Sequence, residues 1–86
     1  MRKLEKILKA LANRRRLAII KHLKENREAS VGGIADAIDL SFKATSKHLG
    51  ILAAIDIIER EQKSSQMFYH LASQQESAAK HIISLL

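Results

Sequence analysis

Apolar positions along this chain follow two different periods. Up to residue 54 they recur every three or four residues, then they alternate, and near the end the helical spacing returns. Leu4, Ile7, Leu8 and Leu11 predict a first helix over 2–12, with Arg2, Lys3, Lys6 and Lys9 outside the stripe. Asn13 is a side chain suited to cap a second helix, 14–25, buried through Leu17, Ile20 and Leu23 with Ile19 beside them. Asn26-Arg27-Glu28 breaks that pattern. Ser30 then caps a short helix over 31–38, buried through Val31, Ile34, Ala35 and Ile38. Asp39-Leu40 reads as a tight turn, since Asp tolerates left-handed backbone. Ser41 caps a fourth helix, 42–54. On it Thr45, Leu49 and Leu52 point one way, and Lys43, Lys47, Gly50 and Ala54 point the other.

Residues 57–62 and 66–71 alternate, and Lys63-Ser64-Ser65 is a polar tip between them, so a β-hairpin is expected. A last helix is expected over 74–86, opened by a Ser73/Glu76 capping box and apolar along Ala78, Ala79, Ile82, Ile83 and Leu86. The order is α-α-α-α-β-β-α: a mostly α fold with a small β-hairpin. Two short helices across a tight turn form a helix-turn-helix, and a hairpin after the second is a wing. The predicted architecture is a winged helix-turn-helix.

Composition narrows this further. Eighty-six residues make one domain, 1–86, and a thin core. With no cysteine, disulfides and thiolate metal sites are excluded. A net charge of +6 favours a polyanionic partner, yet the charge is uneven. Residues 1–27 carry ten basic and two acidic side chains, whereas residues 28–86 carry five basic and seven acidic. No apolar run reaches the ~20 residues of a membrane span, and Met1–Lys6 is charged with no apolar signal core behind it. A cytoplasmic protein with no membrane partner is expected. No nucleophile turn, Gly-rich phosphate loop or paired-carboxylate site is present, which argues against an enzyme. His22, His48, His70 and His81 show no i, i+4 ligand spacing, so neither a metal site nor a cofactor is expected.

If the fourth helix reads DNA, Lys43, Ser46 and Lys47 face the groove, together with the helix-start residues Ser41 and Phe42. Phe42 has two readings, contact with a thymine methyl or packing, and packing is preferred. His48 stands at the border, either a phosphate contact or a half-buried filler. In the hairpin Arg60 and Lys63 are candidate phosphate contacts; strand alternation sets Glu59 and Glu61 on the face away from Arg60. Arg14-Arg15-Arg16 is either a phosphate anchor or a cluster paired within the fold.

Four segments, in order, resemble one family. Leu11–Ile20, Ile34–Ser41, Thr45–Leu49 and Met67–Leu71 are similar to the motifs of the ArsR (arsenical-resistance repressor) regulators, over nearly the whole chain. The resemblance implies a homodimer joined by its first and last helices, a fourth helix in the major groove, repression of transcription, and a structural role for Arg16. It also exposes departures. Where metal sensors of the family carry a Cys-x-Cys pair this chain has Ser30 and Gly32, and where another class uses Asp and His it has Ser73 and Gln75. The turn glycines of the family match Asp39 and Asp56, and its polar Gln at the first recognition position matches Phe42.

Leu4, Ile7, Leu8 and Leu11, with Ala79, Ile82, Ile83 and Leu86, are the expected dimer contacts, because so short a domain has little room to bury two further stripes. The expected function is a sequence-specific DNA-binding regulator, a repressor without the usual metal ligands, with double-stranded DNA and a second copy as partners. The competing expectation is a winged-helix protein-interaction module, motivated by the acidic balance of residues 28–86, by Phe42 and by the wing glutamates.

Overall fold

A computed structural model describes residues 2–86. Its elements are α1 (Arg2–Leu11), α2 (Arg14–Glu25), β1 (Ala29–Ser30), α3 (Val31–Ile38), α4 (Phe42–Ala54), β2 (Ile58–Lys63), β3 (Gln66–Leu71) and α5 (Ser77–Ser84). Three caps act as the sequence predicts. The Asn13 side chain accepts from the amides of Arg15 and Arg16 at 3.0 and 3.1 Å. Ser30 Oγ accepts from Gly33 N, and Ser41 Oγ from Ala44 N, each at 3.1 Å. Such a cap contributes about 1 kcal/mol by satisfying an otherwise orphaned amide. Asp39 and Asp56 both take left-handed backbone, with φ of 54° and 62°.

The core is one cluster. Ile7 and Leu11 of α1, Ile19, Ile20 and Leu23 of α2, Val31 and Ile34 of α3, and Leu49 and Leu52 of α4 meet Ile57, Ile58, Tyr69 and Ala79. Four of the expected dimer contacts therefore divide within a single helix: Ile7 and Leu11 are buried in the chain's own core, while Leu4 and Leu8 are 40% and 45% exposed. Ala79 is buried as well. The expectation that Ile7, Leu11 and Ala79 face a partner copy is corrected here. A stripe spanning i, i+3, i+4 and i+7 is wide enough to serve two surfaces, and its inner half goes to the core.

The hairpin is longer at its tip and better anchored than expected. β2 and β3 pair antiparallel from Ile58↔Leu71 to Lys63↔Gln66, so Lys63 belongs to the strand. β1 adds a third strand to the sheet, in the order β1-β3-β2, through Ala29↔Tyr69 and Ser30↔Phe68. Two residues are too few to show alternation, which is why the sequence does not announce β1.

α5 starts later than the predicted 74–86, and the Ser73/Glu76 capping box does not form. Glu76 is the N-cap, with extended ψ of 148° and no side-chain cap bond. Its carboxylate instead pairs with Lys3 at 2.8 Å. Gln75 is also committed: its Nε2 donates to the carbonyls of Ile57 (2.8 Å) and Ala72 (3.0 Å), which holds 72–76 in a non-helical path. At the other end Lys24 donates to the Ile83 carbonyl at 3.0 Å, tying α5 to α2.

Candidate nucleic-acid interface

α3 and α4 are held by their apolar faces, so α4 has a fixed inside and outside. Thr45, Leu49 and Leu52 are fully buried. Across the helix Lys43, Lys47 and Gly50 are exposed and Ser46 is half-buried; Ser41 and Phe42 are exposed at the helix start, Phe42 one turn ahead of Thr45 on the inner stripe. A Cβ at Gly50 would meet open space, so this face is slim at its middle. The outer face of α4 is thus free of cover from its own chain, with two ammonium groups and a serine at helical spacing. That is the side-chain set that contacts phosphates and base edges.

Phe42 departs from the preferred expectation. It does not pack: 63% of it is exposed at the first position of α4. Full burial of such a side chain is worth about 1.5–3 kcal/mol, most of which this fold leaves unrealised. His48 also resolves to one of its two readings. It is half-buried and its Nδ1 lies 3.1 Å from Arg16 Nη1, so the ring links α4 to α2 and is not a free phosphate contact. Burial first, then the charges of Arg16, Lys47 and Arg15, hold its imidazole pKa below the usual histidine value. With the ring neutral, Nδ1 can accept from the guanidinium.

Arg16 is structural, as the resemblance implies. Besides His48, its guanidinium donates to the carbonyls of Ala10 and Lys9 at the end of α1. One side chain thus joins α1, α2 and α4. These partners lie up to 32 residues apart in sequence, so no local pattern signals the link. Arg15 Nη1 reaches the Ile38 carbonyl at 3.5 Å, while Arg14 is exposed.

The wing separates its charges by face. Arg60 pairs across the sheet with Tyr69, and Glu61 with Phe68. Alternation therefore sets Arg60 and Gln62 on one face and Glu59, Glu61 and Lys63 on the other. Lys63 does not share a face of the wing with Arg60. It shares the glutamate face and is bound by Glu28, with 2.9 Å and 3.0 Å to the two carboxylate oxygens. That hydrogen bond is the main reason its pKa is raised. Lys63 Nζ also lies 5.7 Å from the Phe68 ring centre. Sequence reasoning missed Glu28 because it precedes Lys63 by 35 residues. Arg60 remains as the exposed basic side chain of the wing's other face.

The positions that match the family's metal ligands have other employment. Ser30 caps α3, and Gln75 braces the turn before α5. Among the described residues no cluster of three His, Cys, Asp or Glu could hold a metal ion.

Residues 11–61, from the end of α1 through most of β2, match the profile of a helix-turn-helix domain family. The chain is 38% identical over 80 residues to the transcriptional activator HlyU of Vibrio cholerae, covering 93% of this chain and 70% of that protein. The structure of reduced HlyU superposes with a TM-score of 0.83 at 37% identity, over 98% of this chain and 84% of that one. The homodimeric winged helix-turn-helix domain of Mb0332 from Mycobacterium bovis, described as a possible ArsR-family regulator, superposes with a TM-score of 0.82 at 26% identity, over 96% of this chain and 73% of that one. This chain belongs to the ArsR family of winged helix-turn-helix transcriptional regulators. The transcriptional repressor BigR of Xylella fastidiosa is a further similar structure, with a TM-score of 0.80 at 30% identity, over 98% of this chain and 80% of that one. As an ArsR-family chain it is a DNA-binding transcription regulator. No helix among the described residues of this ArsR-family chain is long and apolar enough to cross a membrane.

Proposed function

We propose that this regulator acts as a homodimer that binds an imperfect DNA palindrome, with one α4 in each of two successive major grooves, and represses by occluding the promoter. The observation that carries the reading is the division of α4. Its inner face is fully buried in its own core, while its outer face leaves Lys43 and Lys47 exposed with Ser46 half-buried between them. Leu4 and Leu8 supply an exposed apolar surface on α1 for a second copy. A two-fold pair would set two recognition helices about 34 Å apart, one turn of DNA. The relative Mb0332 is homodimeric, and BigR is a repressor.

The test uses duplexes selected by the wild-type chain from a randomised library. Affinity should fall steeply with salt, because lysines displace condensed counterions. Lys47→Glu should weaken binding at every selected sequence by at least tenfold and flatten the salt dependence by about one phosphate contact. Unchanged binding by Lys47→Glu in a gel-shift titration overturns the groove assignment. A protein-interaction module is the second reading, favoured by the glutamate face of the wing and the acidic balance of residues 28–86. Uniform weak binding to all duplexes would establish it instead.

A further inference from the structure

Phe42 stands at the N-terminal end of α4, where a recognition helix comes closest to base edges. It is the most exposed aromatic ring among the described residues. The remaining large apolar side chains left exposed, Leu4, Leu8 and Leu85, all lie on or beside the terminal helices, away from α4. The backbone at Phe42 is anchored, since Ser41 Oγ caps the helix three residues before Ala44. The ring is therefore presented on a fixed support at the very start of α4, where the Thr45–Leu49–Leu52 stripe runs out of the core. Such a ring has no hydrogen-bonding group. In the major groove the apolar feature that a base pair offers is the C5-methyl of thymine.

We propose that Phe42 is a specificity-determining residue that reads a thymine methyl in each half-site, while Lys43 and Lys47 hold the helix against phosphates and guanine edges. This rests on the regulator reading and sharpens it. The half-site must then carry a thymine under the first turn of α4. Its identity there is sensed by shape and apolar contact, with no hydrogen bond from the protein to that base.

The experiment takes the selected duplexes and replaces each thymine singly by deoxyuridine, which removes the methyl and leaves the Watson–Crick pairing intact. Fluorescence anisotropy with the full chain reads the dissociation constant. One thymine per half-site should show a loss of about fourfold on replacement, the contribution of one buried methyl. In Phe42→Ala and Phe42→Gln that loss should vanish, while neighbouring thymines behave as with wild type. Both variants change an exposed side chain, and an unchanged Tm confirms that they fold. Indifference of the wild type to deoxyuridine at every position overturns the proposal, as does an equal loss in wild type and Phe42→Ala. A library that yields no bound duplex overturns the regulator reading beneath it, which separates the two failures.

Discussion

Thr45 lies fully buried on the inner face of α4, and its Oγ1 meets no hydrogen-bond partner among the described residues. A buried hydroxyl without a partner loses its hydration and gains nothing in exchange. Valine has nearly the same shape and no hydroxyl. Thr45→Val is therefore expected to stabilise the chain by about 1 kcal/mol, raising Tm by roughly 4–8 °C for a domain of this size. Thermal denaturation followed by circular dichroism checks it, and a lowered Tm would show that the hydroxyl is satisfied in solution. DNA affinity should not change, because the side chain points away from the outer face. At this scale much was legible beforehand. Thr45 shares its stripe with Leu49 and Leu52, which places it inside; the three capping side chains and left-handed Asp39 follow from local chemistry, and Asp56 from the family resemblance. Phe42 was not legible. Periodicity sets it on the Thr45–Leu49–Leu52 stripe, and its exposure depends on how far the core reaches along that stripe, which periodicity does not tell.

Helices and strands show the same division between local and distant causes. The four-helix order and the presence of the hairpin follow from the change of period at residue 57, but not its register, since Lys63 pairs with Gln66 instead of forming the tip. The late start of α5 does not, because Gln75 and Glu76 are drawn away from a capping box by Ile57 and Lys3. The junction of α1, α2 and α4 through Arg16 and His48 has a consequence for pH. Burial and then the cations Arg16, Lys47 and Arg15 lower the His48 pKa in the folded chain. The unfolded chain thus takes up a proton on this ring at a higher pH than the folded one. Stability from this source is complete above the ordinary histidine value of about 6.5 and declines as pH falls through and below it. Tm measured from pH 7.5 down to 5.0 should drop, and His48→Gln should drop less steeply over the same range. Parallel curves for the two proteins would count against the junction.

For the molecule as a whole, the terminal helices divide their apolar residues between the core and the outside. The sequence marks both stripes but not this division, because a helical wheel does not say which neighbour each residue meets. Leu4 and Leu8 are left exposed and, in the proposed homodimer, would meet the second copy, while Ile7 and Leu11 are buried in the chain's own core. Leu8→Glu is expected to leave the helical circular dichroism unchanged while sedimentation reports the mass of one chain, 9.6 kDa, in place of two. Because a single α4 then grips one half-site alone, affinity for a selected palindrome should fall by more than tenfold. A wild-type chain that already sediments as one copy would contradict the dimer.

Ser30 belongs to two structures at once: it pairs with Phe68 in the sheet and its hydroxyl closes the first turn of α3. The clasp between Glu28 and Lys63 spans the same joint from the outside. Hairpin and reading head are consequently welded, and neither can pivot against the other without breaking strand pairs and a helix cap together. In the homodimer proposed above, movement of one half-site reader relative to the other would then have to come from the angle between the two copies.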